Sequence, residues 1–279
     1  GTFYPIGGFN EVICGLVKLA EEKGVKIHCS SEINKINASE TTAKSLEING
    51  EILYFDGIVA GADYHHVEQS LLSENYRNYS SSYWANREMA PSSLLFYIGL
   101  DKKLNNIQHH TLFFDQDFDE HAKEIYDNPK WPSSPLFYMC CSSITDHTVA
   151  PEGKENIMIL IPLAPGLVDS DEMREIYFDK ILKRIEILTD NDIKDHILVK
   201  ESYCVSDFEK DYHAFKGNAY GLANTLRQTA ILKPSMRNKK LKNLYYTGQL
   251  TVPGPGVPPS IISGQIVATE IDKYLKKAS

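Results

Sequence analysis

Residues 243–269, NLYYTGQLTVPGPGVPPSIISGQIVAT, constrain the fold more than any other stretch. A β-rich run at 243–247 leads into a loop at 248–257 that holds three Gly and two Pro, and an apolar-periodic segment opens at Pro258-Pro259. Proline is tolerated in a first helical turn, where its missing N–H has no acceptor to lose, and Ile261, Ile262, Gln265, Ile266 and Thr269 recur at helical spacing. The spacing predicts strand, Gly-rich loop and then a helix from about residue 258. Such a helix start aims unpaired backbone N–H groups and the positive end of the helix dipole across the loop, which suits an anion or an electron-rich ring. Residues 254–259 mimic the first positions of a dinucleotide-binding fingerprint. Pro259 stands where a small residue is needed, however, and no strand ending in an acid follows, so the stretch fails as a first βαβ unit. A Gly/Pro turn capping a buried C-terminal helix is the plainer reading of the same residues.

The rest of the chain alternates helical and strand patterns. Val12, Ile13, Leu16, Leu19 and Ala20 make one face of a helix over 9–23, with Gly24 as its cap, after a turn-rich opening at 2–8. Strands are expected at 25–29 and 32–37. Residues 44–48 and 51–55 pair across Asn49-Gly50, the dipeptide of a two-residue type I′ hairpin, because both central residues need positive φ. Residues 57–61 (GIVAG) read as a short buried strand. From about Val67 the pattern becomes irregular and rich in Tyr and Ser, and longer apolar strands follow at 93–100, 111–114, 136–141 and 156–162. Phe96, Tyr97, Phe113, Phe114, Phe137 and Tyr138 fit a large sheet with one face against helices. A long amphipathic helix spans 169–189, with Asp169 and Glu172 at capping-box spacing and Met173, Ile176, Tyr177, Ile181, Ile185 and Leu188 on its stripe. Residues 217–221 (GNAYG) form a second loop that needs a permissive backbone.

The 279 residues can bury a substantial core in one large or two modest domains. With 37 acidic against 29 basic side chains the net charge is −8, and without long Lys/Arg runs nucleic acid is excluded as a partner. Apolar runs such as 157–163 are too short to span a bilayer, which leaves peripheral membrane contact open. Five cysteines, Cys14, Cys29, Cys140, Cys141 and Cys204, are odd in number and sit in strand or helix patterns, so a reducing, cytoplasmic compartment is expected. The chain enters on Gly1 and a motif-like stretch, which reads as a piece of a longer protein.

Side-chain catalysis finds little support. His65-His66 and His109-His110 are adjacent pairs whose rings, on a strand, point to opposite faces, and no Cys/His spacing fits zinc, so no metal site is expected. No nucleophile elbow is present, and Asp146, Asp207 and Glu201 read as solvated or capping groups; no catalytic residue is assigned.

Taken together, YPIGG at 4–8, GIVAGAD at 57–63, GNAYG at 217–221 and LYYTGQLTVPGPGVPPSIISG at 244–264 resemble the bacterial phytoene desaturase family of FAD-dependent carotenoid oxidoreductases. His109-His110, ITDHTVAPEG at 144–153 and ILIPLAPG at 159–166 are similar to that family's middle region. Gln249, Leu250, Val252 and Pro255 depart from the residues many members carry, as a subgroup variant does.

The resemblance implies an α/β (α+β) fold: a partial FAD-binding domain of the amine oxidase/phytoene desaturase type with an inserted mixed-sheet substrate domain. The implied parts are 1–64 and 206–279 for the FAD domain and 65–205 for the substrate domain, without the N-terminal unit that holds the ADP half. By analogy, the backbone around Ile33 lies near adenine, Gly248 and Gln249 line the pyrophosphate or ribityl, and Val257, Pro258 and Ser260 lie by the flavin ring. Gly256 is the point of close backbone approach. The implied cofactor is FAD, held by the full-length enzyme and not by this piece. The implied partners are a carotenoid or other polyene, a membrane met peripherally at its inner face, and a second copy in a homo-oligomer. The implied reaction is desaturation of a precursor such as phytoene, with a flavin as two-electron acceptor, because no side chain accepts electrons from an unactivated C–C bond. A hydroxycarotenoid desaturase, a carotenoid isomerase, an amine oxidase-like enzyme or an apolar-ligand carrier are the other readings of the same scaffold.

Overall fold

The computed structural model describes residues 3–278; residue 2 of the turn-rich opening lies outside them. In chain order the helices are α1 (Asn10–Glu22), α2 (Tyr64–His66), α3 (Ser81–Ala85), α4 (Phe118–Tyr126), α5 (Asp171–Thr189), α6 (Val205–Tyr212) and α7 (Val257–Ala278). The strands are β1 (Ile33–Ser39), β2 (Thr42–Ile48), β3 (Glu51–Tyr54), β4 (Ile58–Ala60), β5 (Ser92–Leu100), β6 (His110–Phe113), β7 (Phe137–Cys140), β8 (Glu155–Leu163), β9 (Ile197–Tyr203) and β10 (Leu244–Tyr246). The mixture of helices and sheets is α/β, as the sequence implies.

The chain divides into two compact units, one of Ser30–Ser92 with the chain from Val205 onward, the other of the chain up to Cys29 with Ser93–Cys204. These boundaries differ from the expected 1–64, 65–205 and 206–279. Residues before 30 group with the larger sheet, and residues 65–92 group with the C-terminal segment. The physical reason is visible at residues 64–92, where Tyr64, Val67, Leu71, Trp84 and Met89 share a buried cluster with Leu222, Leu244 and Tyr246.

In the unit that holds the C-terminus, β1, β2 and β3 form an antiparallel sheet. Its hairpin turns at Asn49 and Gly50 with φ of 49° and 85°, the conformation that a type I′ turn demands. β4 pairs in parallel with β10 across nearly two hundred residues of sequence, Leu244 opposite Ile58 and Tyr246 opposite Ala60. Asn243, fully buried, fixes that pairing: its Oδ1 accepts from Ala43 N at 2.8 Å, and its Nδ2 donates to the carbonyls of Ala43 and Asp56 at 2.8 and 2.9 Å. A buried amide with every group satisfied specifies one register, because any slip leaves donors and acceptors unpaired.

The other unit is built on a five-stranded sheet of order β6-β7-β8-β5-β9, in which β6–β7, β7–β8 and β5–β9 run antiparallel. β8 buries alternate residues from Glu155 through Ile157, Ile159 and Ile161 to Leu163, a period of two that marks one buried face. Helix α5 buries Arg174, Tyr177, Phe178, Ile181, Leu182, Ile185 and Thr189. The buried stripe is rotated from the expected one: Ile176 and Leu188 are exposed. The cap also lies one residue later, since Ser170 Oγ accepts from Met173 N while Asp169 pairs with Arg174. Residues 25–29, expected as a strand, are irregular and exposed, and Val25 and Ile27 pair with no strand among the described residues. Strand β9 and helices α4 and α6 were not legible; β9 carries Lys200 and Glu201 among its apolar residues, which blurs its alternation.

Candidate functional site

The stretch at 243–269 folds as strand, loop and helix, with α7 starting at Val257, one residue before the expected position. The loop is tied from within. Ser263 is fully buried on α7; its Oγ accepts from Gly248 N at 3.1 Å, lies 2.6 Å from Thr247 Oγ1, and donates to Ser260 O. Thr251 closes the turn by donating its hydroxyl and N–H to Gly248 O at 2.8 and 3.0 Å. The GNAYG loop meets it: Asn218 Oδ1 accepts from Gly221 N and from Gln249 Nε2, and its Nδ2 donates to Phe215 O. Gly221 has φ of +74°, and a Cβ there would lie 2.9 Å from the backbone oxygen of Gln249, so only glycine lets the two loops approach this closely.

These loops, the turn after β4 and the end of α6 line an open cleft of about 590 Å³, with Gly61, Asp63, Asn218, Gly248, Gln249 and Ser260 among its walls. Of the residues inferred for the cofactor, Gly248, Gln249 and Ser260 line it. Gly256, Val257 and Pro258 belong to the same loop and first turn of α7 but are not among its lining residues. Ile33 is elsewhere, pairing with Ile48 on β1 and packing on the core. The N–H of Gly248 is already spent on Ser263.

Two residues that sequence reasoning passed over stand out here. Asp63 caps α2, accepting from His66 N at 3.0 Å and from Phe215 N at 3.3 Å. Burial pushes its carboxyl up to about 6, against the opposing pull of those N–H donors, so a cavity-lining acid titrates near neutrality. Beside it the His66 ring stacks on His213 at 3.9 Å, and burial followed by the charge of His213 lowers the affinity of His66 for a proton. Lys233 is 7% exposed and its Nζ has no hydrogen-bond partner among the described residues. A Cβ built on Gly254 would lie 3.6 Å from its Cε and Nζ, so the ammonium sits directly against the Gly-rich loop, and burial lowers its pKa. The signal was a lone charge in the run Ala230-Ile231-Leu232-Lys233-Pro234. An ammonium out of water without a counter-charge is costly, so this loop fits a ligand that brings a negative or electron-rich group. Lys233 is not among the residues that line the cavity, but its orphaned ammonium against the same loop fits the negative charge that an FAD brings.

The other unit carries a separate polar cluster. Tyr4 meets the ring of His109 edge-on at 4.7 Å, and Asp146 accepts from Gly7 N at 2.7 Å and from Thr148 N and Oγ1 at 2.9 and 2.6 Å. The Thr148 hydroxyl is the main cause that holds Asp146 down at about 2, so this carboxylate is a loop cap, as its sequence context implies. His109 and His110 do not point apart: their ring centroids lie 4.3 Å from each other. The opposite-face expectation fails because His109 lies in the bend before β6, outside the pleat that alternates side chains. His65 and His66 are likewise on a helix, not a strand. Phe96, Phe113 and Phe137 of the aromatic strands are buried core, while Tyr97 and Phe114 are exposed.

Residues 1–272 match the family of flavin containing amine oxidoreductases. The chain belongs to that family. It is 41% identical over 268 residues to a carotenoid 3,4-desaturase of Haloarcula japonica, covering 96% of this chain and 54% of that protein. It is 32% identical over 292 residues to a 4,4'-diapophytoene desaturase (4,4'-diaponeurosporene-forming) of Staphylococcus aureus, covering 99% of this chain and 57% of that one. The chain thus spans about half the length of the curated relatives it matches. Among solved structures, an oxidoreductase from Methanosarcina mazei superposes with a TM-score of 0.65 at 15% identity, over 95% of this chain and 55% of that one. A geranylgeranyl bacteriochlorophyll reductase-like protein from Thermoplasma acidophilum gives 0.54 at 12%, over 96% and 54%. These two likenesses speak to the fold alone. No helix among the described residues is long and apolar enough to cross a membrane.

Proposed function

We propose that this chain works as part of an FAD-dependent carotenoid desaturase and that its Gly-rich loop cavity receives the flavin end of the cofactor. The observation that carries the reading is the convergence of Asp63, Asn218, Gly248, Gln249 and Ser260 on one cavity, with the unpaired Lys233 ammonium under Gly254 of the same loop. Bound there, FAD supplies the two-electron acceptor that desaturation of an unactivated C–C bond requires. The chain's own contribution is positioning and charge. The N-terminus of α7 offers the positive end of its dipole and Lys233 its ammonium, both favouring an electron-rich group over the loop. Gly256, with φ of +114°, keeps the backbone free of a side chain at the point of approach. Asp63 holds or releases a proton at the cavity wall near neutral pH.

Both curated relatives are named for desaturation of carotenoid-type polyenes, and this chain's substrate is of that class, phytoene among the candidates. A polyene offers almost nothing to hydrogen-bond and is dissolved in lipid, so the whole protein meets a membrane peripherally. Residues 1–279 alone grip FAD weakly, because the cofactor's long flexible body must be ordered by few contacts.

The test uses the full-length protein in cells that accumulate phytoene or lycopene. The expected outcome is a flavin absorbance in the purified protein and a carotenoid profile shifted to more unsaturated products, whose structures separate chain desaturation from 3,4-desaturation. Gly256→Val lowers flavin occupancy. A colourless protein with an unchanged pigment profile overturns the reading; tight stoichiometric FAD binding by residues 1–279 in equilibrium dialysis moves the main anchor into this chain.

A further inference from the structure

Strands β6 and β7 pair so that His110 stands directly opposite Cys140. Cross-strand partners project from the same face of a sheet, with Cβ atoms about 5 Å apart. The bend before β6 folds the ring of His109 back onto that of His110, and the His109 carbonyl accepts from Cys141 N at 2.9 Å, which fixes the bend to the strand that carries the cysteine. One ring nitrogen of each histidine and the Cys140 Sγ thereby lie within 4.8 Å of one another.

The hydrogen bonds around the cluster leave specific atoms over. His109 Nδ1 is taken by the Thr145 hydroxyl at 2.5 Å, while its Nε2 is buried with no partner among the described residues. His110 Nδ1 is taken by the Tyr138 hydroxyl at 2.6 Å. A histidine whose one nitrogen is held by an outer hydrogen bond and whose other nitrogen is left bare is oriented as metal-binding histidines are. His110 is exposed, which provides an entry path.

We propose that His109, His110 and Cys140 form a binding site for a borderline transition-metal cation, with Zn(II) as its natural occupant. Two imidazoles and one thiolate are the donors such a cation selects, and they are the wrong donors for Mg(II) or Ca(II), which take oxygen. Bonds of about 2.0–2.3 Å in tetrahedral array put ligand atoms about 3.5 Å apart. Side-chain rotations of about 1 Å close the cluster to that spacing. Three protein ligands leave the fourth position to water, as in open zinc sites. Binding displaces the Cys140 thiol proton to solvent. This site lies in the unit of the large sheet and does not rest on the flavin reading.

Metal-stripped protein is titrated with Co(II) and then with Zn(II), in a Cys14→Ser/Cys29→Ser background that removes the two exposed cysteines. The expected result is one equivalent of Co(II) giving a near-ultraviolet thiolate charge-transfer band with tetrahedral visible bands, all displaced by Zn(II). Cys140→Ser abolishes the charge-transfer band, and His110→Ala, an exposed position that leaves folding intact, abolishes saturable binding. Thr145→Val, which frees the outer nitrogen of His109, weakens binding about tenfold. Octahedral Co(II) spectra, non-saturating uptake, or identical titrations of the parent and Cys140→Ser or His110→Ala proteins overturn the proposal.

Discussion

Glu68 and Lys233 are both buried charged side chains in the same unit, and their surroundings are opposite. The Glu68 carboxylate is fully buried and filled: Oε1 accepts from Asn78 N at 2.7 Å and from Tyr246 OH at 2.9 Å, and Oε2 accepts from Tyr79 N at 3.0 Å. The Tyr246 hydroxyl in turn accepts from Asn238 Nδ2, whose own side chain bonds the backbone of Tyr76, Lys240 and Leu241. Lys233 has no partner among the described residues. A satisfied charge is tied into the fold and strengthens it. An unsatisfied one is a cost the fold carries for something outside itself. Burial alone does not separate structural from functional polar groups; the completeness of their hydrogen bonding does.

The largest test breaks the closed side. Glu68→Ala strips the acceptor from one buried and two half-buried donors and costs about 3–5 kcal/mol of unfolding free energy in urea titration. A loss below about 1 kcal/mol would show that the network tolerates its own removal and would erase the distinction.

Asp63 sharpens the comparison because it accepts backbone N–H groups on both carboxyl oxygens, as Glu68 does, yet lines a cavity as Glu68 does not. Its folded pKa of about 6 exceeds its unfolded value near 3.8, so the folded state holds the proton more tightly. The favourable contribution is complete at low pH and is lost as pH rises from about 4 to about 6, on the order of 2 kcal/mol after allowance for its partial exposure. Asp63→Asn removes that part of the pH dependence, read as the difference in slope between parent and variant. Equal slopes in parent and variant would sink the assignment.

Lys233→Met gives the opposite sign from Glu68→Ala. Replacing a buried, unpaired ammonium by an apolar side chain of similar length stabilises this chain by about 1 kcal/mol in thermal or urea unfolding. On the proposed flavin site, the same substitution weakens flavin retention by protein that carries the cofactor, so stability and binding part company. Destabilisation of residues 1–279 would instead mean that Lys233 belongs to the closed class.

How much of this was legible follows the same division. Features written in local chemistry were readable: the Asn49-Gly50 hairpin, the start of α7 at the proline pair, the alternation in β8 and the Gly-rich loops. The resemblance carried the fold class, and Gly248, Gln249 and Ser260 fall on one cavity. What was not legible depended on partners distant in sequence. Asp63 meets Phe215, Lys233 meets Gly254, and His110 meets Cys140 only once strands have paired, and no spacing within the chain encodes those meetings. The rotation of the α5 stripe has the same origin: its period was readable, but the surface that selects which flank is buried was not.

The smallest predicted effect concerns an apolar counterpart of Lys233. Helix α1 has as clear a stripe as α5, yet none of its residues is buried, and Ile13, Leu16 and Leu19 are exposed at 55%, 45% and 51%. A stripe predicts that a helix can pack, not that this chain holds its partner surface. Leu16→Gln should therefore change the unfolding free energy of residues 1–279 by no more than about 0.5 kcal/mol, the range of ordinary surface substitutions. The same change at a packed position of α5 removes a buried side chain and its contacts. If Leu16→Gln costs as much as such a core substitution, α1 is packed in solution in a way its exposure denies, and the apolar face is closed rather than open. If the cost is small here and large in the full-length protein, the partner surface lies outside this chain, which places α1 beside Lys233 as a group whose complement comes from elsewhere.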